Sequence, residues 1–134
     1  MLGLDMVSLV KIDRILMVDD DPHIRKIAEI SLRKIGKWDV KLASSGKEAL
    51  SIVEAESPDL ILMDVTMPEM DGPAVFARLQ ELPGGSAIPA IFLTGRVLTD
   101  EVESYRKLGV AGVINKPFDP LKLPAEIRRI LNVD

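Results

Sequence analysis

Five side chains in this sequence have the types and placement to do chemistry together. Asp19 and Asp20, inside Asp19-Asp20-Asp21, follow the apolar run Arg14 to Val18; Asp64 follows Asp59 to Met63; Thr94, before Gly95, follows Pro89 to Leu93; and Lys116, before Pro117, follows Gly112 to Asn115. Carboxylates gathered at one place repel, and at least one pKa rises unless a cation shares the site. With no cysteine and a single histidine in the chain, oxygen-only ligation points to magnesium or a relative of it, held by carboxylates, a backbone carbonyl and water. Lys116 adds positive charge, Thr94 a hydroxyl donor, and Gly95 room for a backbone approach. Together they would neutralise an anion formed on Asp64, which is the logic of phosphoryl transfer to a carboxylate nucleophile, with Asp64 as acceptor. Taken singly, an acidic residue at the end of a strand is more often a helix cap, and Asp21 before Pro22 reads as that alone.

The elements that must position these groups follow from the hydrophobic pattern. Short runs apolar on both faces, Arg14 to Val18, Asp39 to Ala43, Asp59 to Met63, Pro89 to Leu93 and Gly112 to Asn115, suit parallel strands covered on both sides. Between and after them lie stripes of helical period: Ile24, Ile27, Ala28, Ser31 and Ile35; Ala49, Leu50 and Val53; Val75, Phe76, Leu79 and Leu82; Val102, Tyr105 and Leu108; Ile127, Ile130 and Leu131. Asp21-Pro22 starts the first helix, Gly36 follows it, Ser45 to Glu48 forms a capping box and Gly109 ends the fourth helix. Pro124 places the start of the last helix near Leu121 to Pro124. Alternation of this kind predicts a doubly wound α/β fold on an open parallel sheet, with ligands bound beyond the carboxyl ends of the strands. Neighbouring strands about 4.8 Å apart then bring the five side chains to one pocket.

Composition narrows the partners. A chain of 134 residues, 47% hydrophobic, has the size and apolar content of one domain with its own core. The lack of cysteine excludes a disulfide scaffold, a zinc-thiolate site and thiol catalysis, and fits a cytoplasmic location. A net charge of -4 without a Lys/Arg run argues against direct binding of nucleic acid. No apolar stretch approaches a membrane span, and Met1 to Asp13 lacks the pattern of a signal peptide. Residues 1–13 are expected to be a flexible lead-in.

The motifs resemble the receiver domain of two-component response regulators and are similar to the single-domain chemotaxis regulator. The resemblance rests on the Asp19-Asp20 doublet closing Ile15 to Asp21, the block Pro58 to Gly72 with Met67-Pro68-Glu69-Met70-Asp71-Gly72, then Phe92-Leu93-Thr94-Gly95 and Asn115-Lys116-Pro117-Phe118. It covers Arg14 to Leu131 and implies that residues 14–134 are a flavodoxin-like (βα)5 receiver with strand order 2-1-3-4-5. It further implies that Asp64 takes a phosphoryl group from a sensor histidine kinase or a histidine phosphotransfer protein. Asp19 and Asp20 resemble the acidic pair that binds Mg2+, with Asp20 and Asp64 ligating directly and Thr66 supplying its backbone carbonyl. Thr94 resembles the switch hydroxyl and Lys116 the lysine that pairs with the phosphoryl group, with Pro117 after a cis peptide bond. The phosphorylated form would act on a downstream target protein or output domain, or form a dimer, as a signalling domain that turns over no separate substrate.

Two positions depart from the family pattern. Val113 stands where an aromatic switch residue is common, three positions before the lysine, which leaves the output response to the Thr94 loop, with Tyr105 as a contributor. Val97 stands three residues beyond the switch threonine and is read as an apolar side chain that cannot orient water, so phosphate loss is expected to be slow compared with relatives carrying an acid or amide. Bland readings are assigned to His23, as a solvent-facing residue, to Met63, Met67 and Met70, as packing and turn residues, and to Lys11, Arg14, Arg25, Lys26, Arg33, Lys34 and Lys37, as a solvated face. Three rivals are a receiver that binds partners without being phosphorylated, a haloacid-dehalogenase-type phosphatase using Asp19 and Asp21, and a flavin carrier of the same sheet order. His23 departs from the phosphatase motif, and an acidic first loop would repel the flavin phosphate.

Overall fold

A computed structural model describes residues 11–95 and 98–133. Five strands, β1 (Arg14–Val18), β2 (Asp39–Ala43), β3 (Leu60–Asp64), β4 (Ala90–Thr94) and β5 (Gly112–Asn115), form one sheet in the order β2-β1-β3-β4-β5. All four pairings are parallel. Helices α1 (Pro22–Ile30), α2 (Gly46–Glu56), α3 (Gly72–Glu81), α4 (Thr99–Leu108) and α5 (Leu123–Leu131) complete five strand-helix units, as the alternating pattern predicts.

The sheet separates two cores because successive strand residues face opposite sides. One face carries Leu16, Val18, Ile61, Met63 and Phe92 against Ala49 and Val53 of α2 and Val75, Phe76 and Leu79 of α3. The other carries Ile15, Met17, Leu62, Ile91 and Leu93 against Ala28 of α1, Leu32, and Leu123 and Ile127 of α5. β3 and β4 are buried along their whole length, which is why they read as continuous apolar runs rather than as alternation.

Local signals stop and start the helices where expected. The Asp21 carboxylate accepts from the His23 N–H with Pro22 in the first turn, the Ser45 hydroxyl accepts from the Glu48 N–H, and Asp71 caps α3 through the Ala74 N–H. Gly109 closes α4 at φ 111, a conformation that costs other residues a Cβ clash. Pro124 falls in the first turn of α5, where its missing N–H has no helical partner to lose.

Three expectations need correction. The end of the first helix is a π-turn, Ser31–Ile35; its wider turn shifts the phase of the stripe from there on, so Leu32 is buried while Ile35 is 42% exposed, and Ile27, before the turn, is 42% exposed as well. α4 buries none of its residues: Val102 and Tyr105 are half-buried and Leu108 is exposed. Its contact with the core is made chiefly by the Tyr105 ring, edge-on to Phe92 with centroids 5.1 Å apart. Finally, β3 and β4 start and end one residue later than the apolar runs; at the start of β3 the Asp59 carboxylate turns back to accept from the Asp13 and Arg14 N–H groups. Asp64 and Thr94 are therefore the last residues of their strands rather than the first of the loops.

The turn after α3 makes a strict demand on residue type. A Cβ on Gly85 would collide with the Leu79 carbonyl oxygen, a backbone atom that cannot swing away. Gly85→Ala should cost about 2–3 kcal/mol, as overpacking against a fixed neighbour does, and the urea midpoint measures it.

Candidate functional site

The carboxyl edge of the sheet gathers the residues that the sequence singles out. Beyond the strands the parallel ladder continues for one step: the Asp19 N–H donates to Ala43 O at 3.1 Å, Val65 N–H to Leu93 O at 2.9 Å and Lys116 N–H to Thr94 O at 2.8 Å. This fixes the backbone beside Asp19, Asp64, Thr94 and Lys116 to neighbouring strands, so their spacing is a property of the sheet and not of loop conformation.

Asp19, Asp20 and Asp64 each offer a carboxylate oxygen, and these atoms all lie within 4.8 Å of one another. Asp19 and Asp64 are buried and Asp20 is exposed. Lys116 Nζ sits between the two buried groups, 2.9 Å from Asp19 Oδ2 and 3.4 Å from Asp64 Oδ1. The second Asp19 oxygen, Oδ1, accepts from the Asp21 N–H at 2.9 Å. Asp19 is thus committed through both oxygens, whereas the Asp20 carboxylate takes no hydrogen bond from any described residue.

The charges on this edge are tuned against one another. Burial, followed by the charge of Asp19, pushes the Asp64 carboxyl above its ordinary value, against the opposing pull of Lys116 and of a hydrogen bond from the Thr66 N–H. Burial alone would pull Lys116 down, but its hydrogen bond to Asp19 and the charges of Asp19 and Asp64 hold it above the usual lysine range. The arrangement concentrates negative charge at a point open to solvent on the Asp20 side, with one cation only partly compensating it.

That donor set suits a hard divalent cation: three carboxylates within reach of one ion, no sulfur or imidazole, and an exposed flank for water ligands. Asp19 is held by Lys116 and the Asp21 N–H, Asp64 by Lys116 and the Thr66 N–H, and Asp20 is the exposed member of the three.

The outlying residues are also placed. His23 is exposed, Met63 and Met67 are buried and Met70 is half-buried, as read. Asp21 spends one side-chain oxygen on capping its helix. The Lys116–Pro117 peptide is cis. Val113 is half-buried and packs with Tyr105 against the same core. Val97 lies outside the described residues, as do residues 1–10 of the lead-in.

Within the basic face, Arg14 and Arg33 are exposed, as read, and also bond to protein groups, whereas Arg25 is half-buried. The Arg14 guanidinium donates to Glu56 O, and Arg33 bonds to Glu29, Asp39 and the Val40 carbonyl. Arg25 donates to the Asp19 carbonyl at 2.7 Å. The one sequence signal for Arg25 is its place one helical turn inside α1, close enough for a long side chain to fold back over the turn before the helix.

The chain is similar to known proteins. A model of the response regulator receiver domain matches residues 15–128. An uncharacterized 14.6 kDa protein from the sodA1 3′ region of Leptolyngbya boryana is 42% identical over 118 residues, 88% of this chain and 88% of that protein. The probable transcriptional regulator ycf27 of Porphyridium aerugineum is 41% identical over 119 residues, 89% of this chain; the chain spans about half of its length, 48%. Among solved structures, the chemotaxis response regulator CheY4 of Vibrio cholerae matches with a TM-score of 0.82 and 28% identity, covering 90% of this chain and 99% of its own.

Proposed function

Because the chain belongs to the response regulator receiver domain family, we propose that it accepts a phosphoryl group on Asp64 from the phosphohistidine of a sensor histidine kinase or a histidine phosphotransfer protein. The observation that carries this reading is the placement of Asp64: a buried carboxylate at the end of a central strand, beside a second buried carboxylate and within 3.4 Å of a lysine ammonium.

In the transfer, an Asp64 carboxylate oxygen forms a bond to phosphorus as the donor's P–N bond breaks, and the electron pair leaves with the imidazole. The Thr66 N–H, hydrogen-bonded to the Asp64 carboxylate, orients the nucleophile. Lys116 already stands where negative charge accumulates and can follow the phosphoryl oxygens with a short movement of its flexible stem. Thr94, at the end of the adjacent strand, presents its hydroxyl to the same group, and the loop after it carries the change towards the output surface. A divalent cation held by Asp20, Asp64 and the Thr66 carbonyl, with Asp19 acting through water, supplies charge neutralisation for the incoming phosphoryl group when bound.

The partners and setting belong to the same proposal. Residues 14–134 act as the receiver, in the cytoplasm, with a downstream target, an output domain or a phosphorylation-dependent second copy as the reader of its state. The chain acts as a substrate of its kinase and hydrolyses its own acyl phosphate, with no separate substrate turned over. Among the described residues no helix is long and apolar enough to cross a membrane.

Incubation with acetyl phosphate and Mg2+, followed by intact-mass measurement and peptide mapping, tests the reading: the expected result is one added phosphoryl group, located on Asp64. A chain that stays unmodified under these conditions, and with a cognate kinase, would be a receiver that binds without being phosphorylated. A second expectation concerns stability. Mg2+ at about 100 times its dissociation constant should stabilise the fold by about 2.7 kcal/mol, or roughly 10 °C in Tm, and Asp20→Asn should remove most of that shift in a calorimetric scan.

A further inference from the structure

Asp19 is held at its backbone N–H by Ala43 O, at Oδ1 by the Asp21 N–H and at Oδ2 by Lys116. Rotation of the peptide that joins Asp19 to Asp20 would swing the Asp20 carboxylate in or out of reach of Asp64. The oxygen of that peptide is the one that accepts the Arg25 guanidinium at 2.7 Å. A charge-assisted bond of this length fixes the plane of the peptide, and its donor comes from α1, an element anchored independently by Ala28 in the core.

We propose that Arg25 is a positioning residue for the cation site: by clamping the Asp19 carbonyl it holds the Asp20 carboxylate where it can share one Mg2+ with Asp64. The proposal rests on the receiver reading above and adds to it a residue that touches neither the cation nor the phosphoryl group. Two effects of Arg25 oppose each other. Its positive charge repels a nearby cation, and its hydrogen bond preorganises a ligand. The guanidinium is separated from the carboxylates by the peptide it binds, and the Asp20 side of the site is open to water, which screens the repulsion. Ligand positioning therefore dominates, as it does for groups that orient metal ligands, whose loss typically costs about 10–100-fold in affinity.

Calorimetric Mg2+ titration of the whole chain, wild type against Arg25→Gln and Arg25→Lys, decides the matter. The expected result is an Mg2+ dissociation constant raised about ten-fold in Arg25→Gln and by less in Arg25→Lys, which keeps a cationic donor on a shorter reach. Acetyl phosphate labelling should show the same split: a raised Mg2+ requirement, with the rate at saturating Mg2+ within about two-fold of wild type, as expected when binding and not chemistry is impaired. A purely structural role would lower the urea midpoint without moving the Mg2+ requirement. An affinity in Arg25→Gln equal to or tighter than wild type, while wild type binds Mg2+ and is labelled, overturns the positioning role and leaves the receiver reading intact. A wild-type chain that takes neither Mg2+ nor phosphate overturns both. If Arg25→Gln does not fold, Arg25→Lys carries the test alone: a weakened affinity supports the role and wild-type affinity overturns it.

Discussion

Asp64→Asn should abolish phosphoryl acceptance while making the folded chain more stable at neutral pH. The first effect follows from chemistry. An amide oxygen is a poor nucleophile towards phosphorus, and replacing the nucleophile of a preorganised site costs about a thousand-fold or more in rate. Asparagine keeps the shape of the side chain and an oxygen for the Thr66 N–H, so the loss reports the missing carboxylate and not a collapsed pocket. Phos-tag electrophoresis after acetyl phosphate and Mg2+ reads it directly; a shifted band that persists in the variant would place the acceptor elsewhere.

The second effect follows from the electrostatics of the edge. Burial and the neighbouring Asp19 raise the Asp64 pKa in the folded chain. A carboxyl with a raised folded pKa favours the folded state most where it is protonated, and that contribution is lost as the pH rises through its folded value. At pH 7 the ionised group therefore works against folding, and Asp64→Asn removes the burden. The gain should fade as the pH falls below the ordinary carboxylate range, where Asp64 is protonated in both folded and unfolded chains. Urea midpoints at pH 7 and pH 4 test the sign: a variant less stable than wild type at pH 7 would show that the ion pair with Lys116 outweighs burial and repulsion. Protein function and stability oppose each other at this residue, as is common where a site concentrates like charge.

Lys116→Met is expected to have the largest effect on stability, a loss of about 3 kcal/mol at pH 7. Lys116 is the cation between two buried carboxylates, and it is itself largely buried, with its side chain 20% exposed. Removing one partner of a buried pair leaves the other charge uncompensated, and such losses run to about 3–5 kcal/mol; the open Asp20 flank, which admits water and counter-ions, places the expected value at the lower end. The dependence on pH has a definite form. Lys116 is held above its usual range by Asp19 and Asp64, so its contribution is complete below the ordinary lysine pKa and is lost as the pH rises through the folded value. On the acid side the difference between wild type and variant shrinks as Asp64 takes up its proton. The difference plotted against pH should therefore be a plateau through neutrality that falls at both ends. Mg2+ should recover part of the loss, since a cation shared by Asp20 and Asp64 relieves the same repulsion. A variant with unchanged stability, or with a loss independent of pH, would show that the methylene stem of Lys116 matters and its charge does not.

The two variants also separate roles that the site merges. Asp64→Asn leaves a neutral group opposite Lys116 and should remain a soluble, folded, unphosphorylatable chain. Lys116→Met leaves the nucleophile in place and removes the charge that meets the phosphoryl oxygens. Residual labelling in the second and none in the first would assign bond formation to Asp64 and charge stabilisation to Lys116.

Much of this could be read from the chain alone, because the determinants are local. Strands buried on both faces must be apolar throughout, helices between them must carry one apolar stripe, and caps such as Asp21 and Ser45 satisfy N–H groups within a few residues of themselves. Once β1, β3, β4 and β5 were placed, parallel pairing put Asp19, Asp64, Thr94 and Lys116 on one edge of the sheet, and their residue types limited the chemistry. What depended on tertiary structure was everything decided by phase or by contact across the fold. The π-turn at Ser31–Ile35 exchanged Ile35 for Leu32 in the core, since a helical stripe assumes a constant turn and one added residue rotates all that follows. The exposure of α4 was invisible because Val102, Tyr105 and Leu108 have the spacing of a buried face, and only the surrounding elements decide whether anything covers it. Arg25 looked like one of several solvated cations because a long side chain carries no sign of the direction in which it folds. Its bond to the Asp19 carbonyl exists only once α1 packs against the sheet, and so does the balance in which Asp64 is pushed up while Lys116 is held charged: burial and distance set both, and neither is a property of a residue taken by itself.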